Sequence, residues 1–258
     1  MALSSWLTGS HLDPFLLIQR LGSIPIMSNE QYEKLIEILS EKIVPDDFPT
    51  SAISNLYYDT PDFRLIRTSL QKPKYKEKLL LRCYKVPNAT TQAFLEIKKK
   101  ALGIVYKRRE SLPYQRAIDF LAGKDPGKDT QIFRELDWML KSYKNLAPAM
   151  FLSYDRLSFK GVEDSSVRIT FDQNILWRTT VLDLSTGTWG EQLLKPGQKL
   201  MEIKISNAMP LWLAHALSAC KIYPTSFSKY GKAYQTMISR GEHVIDSQDT
   251  EPRYQEVA

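Results

Sequence analysis

Six short stretches of this chain alternate with a period of two, charged residues on one face and apolar residues on the other. Lys76, Lys78, Arg82 and Tyr84 share a face, and so do Glu96, Lys98 and Lys100, with Leu95, Ile97 and the aliphatic stem of Lys99 opposite. The same spacing joins Lys107 to Arg109, Tyr154 to Arg156, and Arg168 to Thr170 and Asp172, and it sets Glu202 and Lys204 between Met201, Ile203 and Ile205. Period two is the signature of a β-strand with one face buried. One such strand in an open sheet simply turns its charges to water. Six that are mostly cationic, with a few carboxylates among them, suggest charged faces that converge. Curled around a common axis they would line a lumen whose Lys and Arg side chains repel one another until water or a bound polyanion relieves them. The pattern alone equally allows a set of solvated sheet faces.

Composition bounds this reading. A chain of 258 residues can bury a sizeable core, and its length allows one large domain or two small ones. A net charge of +6 and a pI near 9.1 favour anionic partners: phosphates, nucleic acid or an acidic membrane face. Cys83 and Cys220 have neither metal spacing nor a disulfide framework, so the expected compartment is a reducing cytoplasm. His215 lies in an apolar helical stretch and reads as a structural residue. The apolar run 15–18 has no cationic start and cannot span a bilayer, so neither a signal peptide nor a transmembrane segment is expected.

Along the chain, Ser28 and Gln31 fit a capping box that opens a helix with the stripe Tyr32, Leu35, Ile36 and Leu39, ending near Ile43 before Pro45. Residues 55–60 read as a strand and 63–70 as a short connection. Strands follow at 75–86, 92–100 and 103–112. Pro113 starts a helix, 123–129 is a loop, and 130–144 is a helix with Ile132, Leu136, Met139, Leu140 and Tyr143 inward. Strands return at 149–159, 166–173 and 199–206. Pro210 begins a helix carrying Leu211, Leu213, Ala214 and Leu217, a last helix starts near Lys229, and the polar tail 241–258 is expected to be disordered. The expectation is an α+β fold: one domain over 1–240, a closed antiparallel eight-stranded β-tunnel with helices packed outside.

The stretches NLYYDTPDFRLIR (55–67), FLEIKKK (94–100), VYKRR (105–109), SYDR (153–156), RITFD (168–172), LMEIKI (200–205) and SFSKY (226–230) resemble, in order, the motifs of the VTC domain. This is the polyphosphate polymerase domain of vacuolar transporter chaperone proteins and their bacterial relatives, within the triphosphate tunnel metalloenzyme (CYTH-like) superfamily. The resemblance spans roughly residues 28–238 and implies a tunnel that binds a nucleotide triphosphate. It implies a metal-dependent phosphotransferase that moves the terminal phosphate of ATP onto inorganic polyphosphate, with manganese or magnesium as the divalent metal. Such transfer asks little covalent chemistry of the protein and much positioning and charge neutralisation.

Carried over motif by motif, Arg82, Lys98, Arg156 and Lys229 would be catalytic. Lys78, Lys107, Arg109, Arg168, Lys204 and Tyr154 would bind phosphate, and Glu202 would be the metal ligand. Glu96 is either a second metal carboxylate or the ion-pair partner that lets Lys98 and Arg82 share a lumen. Tyr84 and Tyr154 read as barrel wall or as groups that stack on a base or bond to phosphate. Asp172 reads as the holder of a neighbouring arginine, Lys99 as a solvated charge, Asp59 to Pro61 as a turn, and Arg64 and Arg67 as guards of a tunnel mouth.

Three positions depart from the family pattern. The first strand's Arg-x-Glu-x-Lys arrangement reads here as Arg20, Gly22 and Ile24, followed by Pro25, and Leu80 replaces the first of two arginines spaced two apart. Two lost cations leave two readings within the resemblance, a polymerase of weakened activity and a tunnel that binds polyphosphate or nucleotide without turnover. A triphosphatase of the same superfamily would want Glu-x-Glu-x-Lys on the first strand. Nucleic-acid binding, suggested by basic and aromatic interleaving over 72–84, is not the expected partnership.

Overall fold

The structure, a computed structural model, describes residues 19–20, 25–102, 104–206 and 208–242. Gly22, Ile24, the side chain of Arg20 and the tail beyond 242 lie outside the described residues. In chain order the elements are β1 (Gln19–Arg20), β2 (Ile26–Met27), α1 (Asn29–Leu39), β3 (Ile43–Asp59), α2 (Arg64–Leu70), β4 (Tyr75–Cys83), β5 (Gln92–Ala101) and β6 (Ile104–Pro113). They continue with α3 (Tyr114–Leu121), α4 (Gln131–Ser142), β7 (Ala147–Gly161), β8 (Arg168–Arg178), β9 (Glu191–Gln192), β10 (Lys199–Ile205), α5 (Leu211–Ala219) and α6 (Lys229–Ser239).

Eight strands form one antiparallel path, β1-β10-β8-β7-β3-β4-β5-β6, with β2 also on β10 and β9 on β8. This is the expected α+β architecture with its eight-stranded tunnel. Among the described residues the ladder ends at β6 and β1, and the two do not pair. The curl is visible in charge instead: Lys204 on β10, near one end of the path, lies close enough to Lys107 on β6, at the other end, to lower its pKa.

Three apolar cores fix this curvature. On the outer face, Leu79, Leu81, Leu95 and Ile97 pack under α3 and α4 with Phe120, Phe133, Leu136 and Met139. On the outer face of the opposite wall, Ile169, Phe171, Met201 and Ile203 pack under α1 and α5 with Leu35, Leu39 and Leu213. The third core lies on the inner face. Leu152, Trp177 and Leu200 meet Tyr230, Ala233 and Tyr234 of α6, Phe63 at the start of α2 and Ile66 within it there. These two helices are therefore not packed outside as expected. They stop one end of the lumen, because a strand end whose inward residues are Leu, Met and Trp must be covered by an apolar element.

The capping box is present: the Gln31 amide donates to Ser28 Oγ at 3.1 Å, and the Ser28 amide donates to Gln31 Oε1 at 3.0 Å. The helix it opens ends at Leu39, four residues before the expected limit, and Ile43 already belongs to β3. That strand runs for 17 residues, and the 55–60 segment is its last part. Pro45 and Pro49 hid the rest; they flank a bulge between Pro45 and Thr50 where the pairing with β7 shifts. Pro25, which has no amide to give, still accepts from the Met201 amide at 3.1 Å. Lys99 is on the outer face as the alternation requires, but it pairs with Glu135 of α4 at 3.2 Å rather than standing in solvent. Leu211 is 75% exposed and outside the core that Leu213 and Ala216 join. No helix among the described residues is long and apolar enough to cross a membrane.

Segment 63–70, expected as a connection, contains α2, and Asp59 explains it. Its buried carboxylate accepts from the amides of Thr60 (2.9 Å), Leu65 (2.8 Å) and Ile66 (3.0 Å) and from Tyr230 Oη (2.8 Å). One side chain thus caps α2 from six and seven residues upstream of the amides it accepts from and ties it to α6. Asp59→Ala leaves four buried donors without their acceptor. It is expected to cost about 3 kcal/mol, read as a lower midpoint in urea unfolding, with Asp59→Asn intermediate.

Candidate functional site

Strand register sets the inner rows. Lys98 on β5 faces Lys78 on β4 and Lys107 on β6, and Glu96 faces Leu80 and Arg109 in the next row. Arg82 then stands opposite Asn55 of β3. On the other wall Arg156 of β7 faces Asp172 of β8, Thr170 faces Glu202 of β10, and Arg168 faces Lys204. The alternation that reads as charged in the sequence thus puts a charged cluster on the inner face of each wall, because antiparallel pairing keeps opposed residues on the same face.

Glu96 is the hub of the first cluster and is fully buried. Arg109 donates to its Oε1 from Nε at 2.8 Å and also from Nη2. Arg82 Nη1 stands at 3.4 Å, Lys107 Nζ at 3.5 Å and Lys98 Nζ at 3.7 Å from its oxygens. Burial opposes ionisation of this carboxyl, but Arg82, Lys98, Lys107 and Arg109 outweigh it and hold the pKa at about 2. Arg82 is aimed by Asn55, whose Oδ1 accepts from Arg82 Nε at 2.8 Å while its own Nδ2 donates to the Leu152 carbonyl at 3.0 Å. Sequence reading passed over Asn55; a buried amide on the charged face of a strand was the available signal, but its partner depends on register.

Asp172 organises the second cluster. Arg156 grips it in bidentate fashion, Nε to Oδ1 at 2.7 Å and Nη2 to Oδ2 at 2.8 Å, and Lys229 Nζ donates to Oδ2 at 2.6 Å. Burial raises the Asp172 pKa, and Lys229 and Arg156 more than reverse this. Lys229 and Arg156 also lie over the Tyr154 ring, at 4.4 and 5.4 Å from its centroid. Glu202 has Arg156 Nη2 at 3.8 Å and Lys204 Nζ at 4.0 Å.

Lys78 links the strands to α6 by donating to Ser228 Oγ at 3.2 Å. Burial lowers its pKa to about 8, and burial does the same for Lys107, aided there by Arg109 and Arg82 against the pull of Glu96. At the rim, Arg168 lies 3.8 Å from Asp46, and Asp47 accepts from Lys160 at 2.6 Å; both aspartates sit in the β3 bulge. Arg67 pairs with Asp62, and Arg64 lies over the Tyr143 ring at 5.8 Å, so neither joins these clusters. The other expected residues, Arg82, Lys98, Lys107, Arg109, Arg156, Arg168, Lys204, Lys229, Lys78, Tyr154, Glu202 and Glu96, share the inner face. A groove of about 940 Å³ on the outer side beside the α3–α4 loop has no such surplus: Lys124, Lys128, Arg134 and Lys141 are largely offset there by Asp125, Asp129 and Asp137.

Among the described residues no group of three His, Cys, Asp or Glu side chains could hold a metal. Glu96 and Asp172 are each enclosed by cations. Glu202, 12% exposed on the inner face with Arg156 at 3.8 Å and Lys204 at 4.0 Å, is a third inner-face carboxylate among the described residues. This donor set fits a hard divalent cation only in the mode in which one carboxylate joins substrate phosphate oxygens and water, which is the usual mode for magnesium.

Solved structures with similar folds include a candidate adenylate cyclase from Bacillus halodurans (15% identity, TM-score 0.49, 82% of this chain and 92% of that one). A candidate adenylyl cyclase from Hippeastrum with a dominant triphosphatase activity is also similar (16% identity, TM-score 0.49, 86% of this chain and 95% of that one). A third is a Pyrococcus horikoshii protein (12% identity, TM-score 0.43, 84% of this chain and 99% of that one). No curated protein sequence matches the chain. The VTC domain model matches residues 25–238, a span that takes in α1, β3 to β10 and nearly all of α6 together with both charged clusters, and the chain therefore belongs to the VTC domain family.

Proposed function

We propose that this chain binds the triphosphate of ATP and inorganic polyphosphate in its lumen and transfers the terminal phosphate of ATP to the polyphosphate end. The observation that carries this reading is the surplus of inward charge: nine lysines and arginines from β4 to β10 and α6 share the inner face with the carboxylates of Glu96, Asp172 and Glu202. Glu96 and Asp172 hold six of those cations in place before substrate arrives, which is the preorganisation that makes donors effective against developing phosphoryl charge. Arg82, Lys98, Arg156 and Lys229 would contact the transferring group, and Lys78, Lys107, Arg109, Arg168, Lys204 and Tyr154 the flanking phosphates. A terminal oxygen of the acceptor attacks the γ-phosphorus in line, the bond to the β–γ bridging oxygen breaks, and ADP leaves. The attacking oxygen is already anionic at neutral pH, so no side chain need act as a base. A divalent metal shared by Glu202 and the phosphates would supply charge neutralisation at the bridging oxygen.

A second reading, a tunnel that binds without turning over, draws on Leu80. It is fully buried on the inner face between Lys78 and Arg82, where the family pattern has an arginine.

Incubation with ATP and manganese, with and without a short polyphosphate primer, and resolution of products by chain length separates these readings. A lengthening ladder with matching ADP is expected, reduced about a hundredfold or more in Lys98→Ala and Glu202→Ala. Orthophosphate without a ladder indicates a triphosphatase, and polyphosphate binding without turnover the second reading.

A pH dependence also follows. Lys78 and Lys107 are held near 8 in the free protein, and a bound polyanion favours their charged forms and takes up protons. Polyphosphate affinity is therefore expected to be full below pH 7 and to fall as pH rises through 8 and above, measured by titration calorimetry in buffers of different ionisation enthalpy. Lys107→Ala removes part of the slope.

A further inference from the structure

Beyond the cationic clusters, the inner row of β4 ends in a different chemistry. Tyr84 follows Arg82 on the same face, 40% exposed, and meets Phe94 of β5 edge to face with ring centroids 5.5 Å apart. Arg109 spans the pair: Nη2 donates to Tyr84 Oη at 3.1 Å, and the guanidinium lies 4.6 Å from the Phe94 centroid and 6.0 Å from that of Tyr84. The same guanidinium donates to Glu96. A cation of the first cluster is thereby fixed to an exposed aromatic ledge.

The position of that ledge follows from the two ends of the lumen. One end is filled by α6 and α2, with Trp177, Leu152, Met150 and the stacked rings of Tyr57 and Tyr230. A polyanion must therefore enter at the opposite end, whose rim includes Tyr84 where β4 ends and β5 begins. The other side of this rim pairs Asp46 with Arg168 and Asp47 with Lys160, and it also exposes the ring of Phe48 on the β3 bulge, the competing surface for a base. A nucleoside triphosphate that enters phosphates first leaves its base at the rim. Two strand residues advance about 7 Å, so Tyr84 stands one such step outward from Arg82, the span that separates a phosphate held at Arg82 and Arg109 from the base beyond its ribose.

We propose that Tyr84 and Phe94, braced by Arg109, form a stacking subsite for the base of the nucleoside triphosphate, which rests on the reading of the lumen as a triphosphate site. Recognition is by the ring face and by the guanidinium, with no hydrogen-bonding edge supplied, so the subsite favours large bases over small ones without reading their exocyclic groups. The inner clusters bind phosphate whatever is attached to it, and the ledge distinguishes a nucleotide from a bare phosphate chain.

Titration calorimetry with ATP, UTP and inorganic tripolyphosphate tests this. In the unmodified chain ATP is expected to bind several-fold tighter than UTP, and equal affinities would overturn the subsite without any variant. Tyr84→Ala is expected to weaken ATP about tenfold while tripolyphosphate stays within twofold. Tyr84→Trp should restore ATP, and Phe48→Ala, at the exposed ring on the β3 bulge, should change neither ligand. Equal loss of ATP and tripolyphosphate in Tyr84→Ala, or no loss of either, would sink the proposal and leave the lumen reading intact. Failure of tripolyphosphate to bind the unmodified chain would overturn the lumen reading and the subsite together.

Discussion

A single carboxylate with no access to solvent, Glu96, makes the rest of the inner surface possible. Four cations within 4 Å of its oxygens could not share a lumen without it, since like charges at that separation raise each other's energy steeply where water is scarce. Burying an ionised carboxyl is costly in turn, and only because several donors reach it does it remain charged. The cluster is therefore mutual: the glutamate holds the cations in position, and the cations hold the glutamate ionised. What results is an array fixed by strand backbone rather than by flexible stems, still short of negative charge and so ready for more. Asp172 repeats the device on the opposite wall with a bidentate arginine and a lysine brought from α6.

The helix that brings Lys229 also stops the lumen, and the two roles are connected. The amides at the start of α2, Tyr230 on α6 and the carboxylate of Asp59 on β3 form one buried set of hydrogen bonds. Through it, the apolar end of the tunnel fixes the start of α6, and with it Ser228 against Lys78 and Lys229 against Asp172. Packing at one end thus positions charge in the middle. This is why a sheet that remains unpaired between β6 and β1 among the described residues can still present converging faces: three apolar cores, two outside and one inside, determine its curvature.

Much of this was legible in the residues. Period two identified the faces of β4, β5, β6, β8 and β10, and the Ser28 and Gln31 pair located a helix start within one residue. What escaped depends on information that single stretches do not carry. Asn55 looks like any polar strand residue until register sets it against Arg82. The helix α2 has seven residues, too few for a periodic signal, and its cap comes from Asp59 well upstream. Two prolines disguised the first half of β3, because a bulge lets a strand pass through residues that cannot join its ladder. The placement of α6 inside the sheet was equally hidden, since a helix stripe says that it is buried but not against which face.

Leu80 connects these points. By register it lies between Tyr57 of β3 and Glu96 of β5, at the seam where the apolar stopper gives way to the cationic rows. An arginine at that position would add a fifth cation to a carboxylate that already faces four. The leucine instead extends the apolar wall by one residue along the lumen and keeps water from that side of Glu96, which strengthens every charge contact the glutamate makes. Against the arginine that the resemblance implies for this position, the leucine gives up one donor and leaves Glu96 in drier surroundings. On the proposed reading, phosphate oxygens must then be met by Arg82, Lys98 and Arg156 without help from position 80, so the chemistry of this lumen depends on how firmly Glu96 and Asp172 hold them.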